Sequence, residues 1–261
     1  MAPTTPPAWA PLDPVDYAAN GFTYNEDENQ LLAEEVQYIF IKELLDNGIR
    51  GRLTLFWHNH FVTQINEYEF AGYAFRYFQA LQRNSFGNFK DFVHEMGLDG
   101  AMLKFLNGFE NTAGSPNENY ARELYELFTL GEGNGYTEDD IVETSRALKG
   151  YNDYANGDNS TILFNIDNFD AEDKTIFGQT GNWGYDDVID LVFAEREQLI
   201  ARYICEKIYV NFVSPEVDDD IRLNIINPLG DIFITNNFEI APVLRTLFKS
   251  EHFFDEKARY T

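Results

Sequence analysis

Two of the chain's four histidines, His58 and His60, are separated by one residue in LFWHNHF (Leu55–Phe61), beside a tryptophan and two phenylalanines. In a strand, residues two apart share a face, so both imidazoles would reach one metal ion. In a helix they lie about 200° apart and cannot share one. The neighbours favour the helix: Leu53, Phe56, Trp57, His60, Phe61 and Gln64 fall on one helical stripe, whereas strict alternation leaves no clean apolar face. His60 then faces the core or a core-lined cleft, and His58 sits at the margin. A histidine so placed is a hydrogen-bonded structural group, an acid/base group or a metal ligand. Neither the H-E-x-x-H pattern of zinc proteases nor the Glu-x-x-His pattern of di-iron bundles occurs.

The second constellation is PNENYARELYELFTLG (Pro116–Gly131). Tyr120, Leu124, Leu127 and Phe128 make its apolar face, and Glu118, Arg122 and Glu126 stack at i, i+4 and i+8 as a salt-bridge ladder. Asn119 and Glu123 lie on the flank of the apolar face, where a half-buried carboxylate pairs with a histidine, binds a cation or has its pKa raised for proton transfer. Other signals are weaker. GEGNGYT (Gly131–Thr137) lacks the Lys-Ser/Thr ending of a phosphate loop, and NDYANGDN (Asn152–Asn159) fails the EF-hand spacing. Cys205, the one cysteine, sits among apolar positions at helical spacing and reads as a small core residue.

Helical periodicity must position these residues. It predicts helices over Glu28–Asn47 with Gly48 as the stop, Ile49–Gln64, Glu67–Arg83, Asn88–Met96, Ala101–Leu106, Asn117–Leu130 and, capped by Thr137, Glu138–Lys149. Further helices are predicted over Tyr185–Phe193, Glu195–Phe212, Glu216–Ile226 and Phe238–Lys249. Between them, Tyr151–Asn182 is rich in Asn, Asp and Gly, with β-type runs at Thr161–Phe164 and Lys174–Phe177, and reads as an excursion with a small hairpin. The first fourteen residues hold five of the nine prolines, which predicts an extended arm over 1–16.

The 261 residues carry 44 acidic and 19 basic side chains, a formal charge of −25 spread along the chain. That field repels phosphate backbones and anionic membrane surfaces, which excludes a general nucleic-acid binder. The apolar runs fall short of the ~18 to 20 residues of a membrane-spanning helix, so no transmembrane segment is expected. The start, APTTPPAWAPLDP after Met1, lacks the form of a secretion signal.

Five segments, RLTLFWHNHF (Arg52–Phe61), SPNENYARELYELFTLG (Ser115–Gly131), GYTEDDIVETSRALKGY (Gly135–Tyr151), KTIFGQTGNW (Lys174–Trp183) and SEHFFDEKAR (Ser250–Arg259), resemble in order and spacing the large bacterial family catalogued as domain of unknown function 1800. The resemblance covers about Gly48–Thr261. It brings no established activity. It implies mainly helical proteins, usually longer than this chain, exported to the periplasm, cell envelope or exterior, and often encoded beside a sulfatase-like or alkaline-phosphatase-like partner protein. It also implies signature positions at Trp57, His58, Asn59, His60, Asn117, Glu118, Asn119, Arg122, Glu123 and Glu126. Phe169 and Asp170 stand where members usually have a His-Asp pair, which counts against any mechanism that needs that histidine. Because the family pattern tends to continue past SEHFFDEKAR, residues 17–261 are expected to form a single helical domain that is part of a longer one.

The expected fold is all-α, with orthogonal or bundle-like packing and a small β-hairpin excursion around 160–180. Its functional centre is expected between the WHNHF and NENYAREL helices, with His60 and Glu123 at the core and His58, Asn119, Arg122 and Glu126 around them. Two readings stand. In one, these residues carry acid/base or metal-assisted hydrolysis, with a divalent ion held by His60 and Glu123. In the other, they form a buried structural hydrogen-bond network in a non-catalytic binding or scaffold module, where each half-satisfied polar group would cost ~1 to 3 kcal/mol.

Overall fold

The computed structural model describes residues 5–255 apart from 24, 69, 113 and 156–159. The chain is mainly helical, with two short two-stranded antiparallel sheets. Part of the NDYANGDN loop and the end of SEHFFDEKAR lie outside the described residues. Helix α1 (Glu26–Asp46) begins two residues before the apolar periodicity shows, because the Asn25 side chain accepts the Glu28 N–H at 2.9 Å and three acids occupy the first turn. It ends at Asn47, and Gly48 takes the left-handed φ of 53° that marks a helix stop. Helix α2 (Gly48–His60) follows at once and packs against α1.

The single helix expected over Glu67–Arg83 is broken into α3 (Ile65–Tyr68) and α4 (Ala71–Asn84). Phe70 is extended at the break and fully buried, its ring set against Tyr73 and Tyr17; Asn29 on α1 accepts the freed Ala71 N–H at 3.0 Å. Burying one more aromatic ring outweighs helix continuity here. Helices α5 (Phe89–Gly97) and α6 (Gly100–Phe105) are capped by Asn88 and Asp99. Helix α7 (Asn119–Glu123) widens into a π-helical turn over Leu124–Thr129. Helix α8 (Glu138–Ala147) starts on the expected Thr137, in a reciprocal capping pair with Asp140.

The excursion holds two hairpins rather than one. Strand β1 (Tyr151–Tyr154) pairs with β2 (Ile162–Phe164), and β3 (Lys174–Ile176) with β4 (Gln179–Gly181). The second turn, Phe177–Gly178, has φ of 52° and 81°, the left-handed pair that suits the strand twist of a two-residue hairpin loop. Helices α9 (Tyr185–Glu195) and α10 (Glu197–Phe212) follow. The helix expected to stop at Ile226 continues: α11 (Asp219–Ile221) passes through a π-helical turn, Arg222–Ile226, into α12 (Asn227–Thr235). The widened turn precedes Pro228, where the missing N–H and the ring would break regular α-geometry. Helix α13 (Ile240–Lys249) completes the order. No helix among the described residues is long and apolar enough to cross a membrane.

One aromatic-rich core joins these elements. Trp57 is fully buried against Phe61, Phe89 and Phe92, and its Nε1 donates to the Ser85 carbonyl at 3.2 Å. Cys205 is buried in the same core, where desolvation pushes its thiol far above the ordinary range. The proline-rich segment, expected as an extended arm, is packed down where it is described. Trp9, Ala10 and Tyr17 are buried, Trp9 Nε1 donates to Glu35 at 2.8 Å, and Asp13 pairs with Arg76 at 3.6 Å. Burying an indole supplies the anchoring that a polar arm lacks.

The end of α5 gives a test of this packing. The Gly97 Cα faces the Tyr120 and Tyr185 hydroxyls at a separation that leaves no room for a methyl group. Gly97→Ala should lower the free energy of unfolding in chemical denaturation by about 1 to 3 kcal/mol. Adding Tyr120→Phe should recover part of that loss. Wild-type stability in Gly97→Ala would show that the two hydroxyls are not held against the helix end.

Candidate functional site

The π-helical turn creates the need that the rest of the site meets. Its widened bonding sends both the Leu130 and Gly131 N–H groups to the Tyr125 carbonyl, at 2.8 and 3.0 Å, and Gly131 then leaves the helix with a φ of 93°. The carbonyls of Glu126, Leu127 and Phe128 are left without a main-chain donor among the described residues. Side chains supply the donors. The Tyr203 hydroxyl on α10 lies 3.0 Å from the Leu127 carbonyl and 3.3 Å from that of Glu126. His60 Nε2, at the last residue of α2, lies 3.0 Å from the Phe128 carbonyl. A carbonyl only accepts, so the His60 proton is on Nε2 and Nδ1 presents a lone pair.

His60 is 4% exposed, and Nδ1 has no hydrogen-bond partner among the described residues. Burial, first, and the charge of Lys207, second, pull the His60 pKa down to about 3, against the opposing effect of the Phe128 bond. His60 is therefore neutral at neutral pH. The inward stripe expected for α2 is present: Leu53, Phe56, Trp57, His60 and Phe61 are all buried, while Gln64 lies past the helix end and is exposed. His58 turns the other way. Its Nδ1 lies 2.7 Å from the Tyr77 hydroxyl, which donates to the Phe61 carbonyl at 2.9 Å. The single hydroxyl proton is thereby used, so His58 Nδ1–H is the donor to Tyr77. His58 ties α2 to α4 and His60 ties α2 to the π-helical turn.

The pairing of His60 with a carboxylate of NENYAREL is not made; a main-chain carbonyl of the same segment takes its place. Glu123 is half-buried, with no hydrogen-bonding or ionic partner among the described residues. Its carboxyl is pushed above the ordinary value by burial and then by Glu126, with Arg122 opposing. No hydrogen bond joins Glu123 to His60 among the described residues. No group of three or more His, Cys, Asp or Glu among the described residues is arranged to hold a metal ion. Arg122 and Glu126 form the ladder: Arg122 lies 3.7 Å from Glu118, 3.3 Å from Glu126 and 2.8 Å from Glu138. Asn119 is exposed, and its N–H donates to the Asn117 side chain at 2.9 Å in the turn that starts α7.

Beside His60 a cleft of about 430 Å³ opens between α2 and α10, lined among others by Asn59, His60, Arg202, Tyr203, Glu206 and Lys207. The α10 residues lie outside the expected site. Leu199, Arg202, Tyr203, Glu206, Lys207 and Val210 recur at helical spacing opposite the buried Ile200, Ala201, Ile204, Cys205 and Ile208, so in sequence they read as an ordinary outer face. Glu206 is held by Arg222 at 3.3 Å. Arg202 and Lys207 have no carboxylate partner among the described residues. The Lys207 ammonium stands 4.9 Å from the Tyr203 ring centre, and burial lowers its pKa.

Phe169 and Asp170 belong to a separate cluster. Asp170 takes a two-pronged contact from Arg146, at 2.9 and 3.2 Å, and lies 3.6 Å from the buried Lys149. Lys174, fully buried, donates to the carbonyls of Asp170 and Glu172 and stands 4.7 Å from the Phe169 ring centre. The cluster fastens the β excursion to α8.

The sequence matches the family described as Protein of unknown function (DUF1800) over residues 9–261, essentially the whole chain, and the chain belongs to that family. No curated protein and no solved structure matches it.

The neutral His60 sets a pH dependence. Between about 3 and the ordinary histidine value of 6.5, the unfolded chain binds a proton at this position that the folded protein does not. Stability should therefore fall as pH falls through that window, by up to ~1.4 kcal/mol per pH unit from this residue. Urea denaturation of wild type and His60→Gln between pH 7 and pH 4 should show the wild-type advantage shrinking toward acid. Parallel curves would overturn the assignment.

Proposed function

We propose that this DUF1800 protein is a binding module whose α10 cleft takes a small anionic ligand, with the WHNHF and LFTLG segments holding the cleft wall in place. The observation that carries the reading is the pair Arg202 and Lys207. Both line the cleft without a carboxylate partner among the described residues, in a chain with 44 acidic and 19 basic side chains. An anion would oppose the effect of burial that lowers the pKa of the half-buried Lys207 amine, and Asn59 and Asn211 in the lining add amide donors. A ligand hydroxyl or N–H, or an ordered water, is the expected partner for the buried His60 Nδ1.

The hydrolytic alternative is less well supported. His60 holds its proton on a main-chain carbonyl and is a weak base, and no hydrogen bond joins it to Glu123 among the described residues. An envelope or secreted location, and a sulfatase-like or phosphatase-like partner, are part of this proposal and rest on the family resemblance alone.

Thermal unfolding tests the cleft with inorganic phosphate, sulfate and citrate as probes, against chloride at equal ionic strength. At 100 times its Kd, a bound anion should stabilise the native protein by about 2.7 kcal/mol, seen as a rise in Tm. Lys207→Met and Arg202→Met should abolish that rise while leaving the anion-free Tm close to wild type, since neither cation has a carboxylate partner among the described residues. Equal shifts in wild type and both variants would place any bound anion elsewhere.

A further inference from the structure

Helix α1 carries apolar residues on two sides. Its buried contact is made by Val36, with Leu32, Ala33 and Ile39 half-buried against the core. Leu31, Tyr38, Ile41 and Leu45 are between 57% and 78% exposed. At 100° per residue these four fall within an arc of about 80°, and Val36 lies on the opposite side. Their spacing of seven, three and four residues is that of a helix-packing seam. Four large apolar side chains share one exposed helix face, with Glu34 between Leu31 and Tyr38, and such an exposed apolar stripe marks an interaction site.

The patch has an acidic setting. Asp27 and Glu34 stand in the same arc, with Glu28 and Glu35 on its flank, while Lys42, the one cation of α1, is engaged by Asp46 at 2.6 Å. The apolar cavity of about 230 Å³ between α1, α2 and α4, lined by Val36, Phe40, His58 and Tyr68 among others, lies on the other, core-facing side of α1. The acidic flank repels an anionic membrane surface and also a second copy of the same helix.

We propose that the outer face of α1 docks an amphipathic helix of a partner protein, apolar on one side and rich in Lys and Arg on its borders. The seam buries the partner's apolar stripe, and Asp27, Glu28 and Glu34 meet its cations, as in helix-in-groove recognition. The surface is distinct from the α10 cleft and stands whether or not that cleft binds an anion.

A synthetic 18-residue helix with leucines on one face and lysines on the other serves as the probe, with the same peptide carrying glutamates as control, in fluorescence anisotropy. The lysine peptide should bind wild type, and Tyr38→Ser with Leu45→Ser, which leaves the net charge unchanged, should weaken binding at least about tenfold. Glu34→Lys should weaken it as well, and the glutamate peptide should not bind. Equal binding to wild type and the Ser double variant would show general charge attraction and overturn the proposal. So would a wild-type dimer in sedimentation velocity that the double variant dissolves, which would make a second copy the occupant. Flotation of wild type, but not of the double variant, with phosphatidylcholine vesicles would assign the face to a membrane instead.

Discussion

Three main-chain carbonyls at the end of the π-helical turn must find donors. A helix end buried without them would lose the full hydration of each group, about 1 to 3 kcal/mol apiece. The donors come from two distant parts of the chain, His60 at the end of α2 and Tyr203 on α10. Meeting the need therefore fixes α2, the turn and α10 with respect to one another, and the cleft lies where those pieces converge. The geometry of the cleft follows from the hydrogen-bond requirement of a widened helix.

The aromatic core explains why a histidine fills this role. Phe56, Trp57, Phe61, Phe89 and Phe128 surround the His60 ring. A charged donor would be expelled from such surroundings, whereas a neutral imidazole donates one bond and packs as a flat ring. The same surroundings hold its pKa low and remove it from proton transfer near neutrality. His58, at the edge of the core, donates through Tyr77 to the Phe61 carbonyl just past the end of α2. Both histidines of LFWHNHF thus serve main-chain carbonyls, on opposite sides of one helix.

The α2 stripe, the Thr137 cap, the Gly48 stop and the Arg122 ladder are legible in sequence, because each follows from local spacing or a local backbone preference. The breaks are not. Phe70 interrupts a continuous helical pattern because of where its ring is buried, and Pro228 is carried inside a helix by the widened turn before it. Likewise, the apolar face of LYELFTLG is the same whether the helix is α or π, so spacing pointed to Glu123 when the acceptor was the Phe128 carbonyl. The α10 face carries no local signal either: a polar stripe becomes a cleft only when another element stands opposite it, and no local pattern records that.

The charge distribution bears on the cleft as well. With acids exceeding bases more than twofold, three described arginines gather several partners each: Arg122 meets Glu118, Glu126 and Glu138, Arg146 meets Glu143, Asp170 and Glu172, and Arg222 meets Glu206 and Asp219. Acidic side chains are in excess, so a cation that lacks one does so because of where it stands. Glu206, the carboxylate that shares the α10 face with Arg202 and Lys207, is drawn off by Arg222 on the neighbouring π-helical turn. With Glu206 so engaged, Arg202 and Lys207 line the cleft with no carboxylate partner among the described residues.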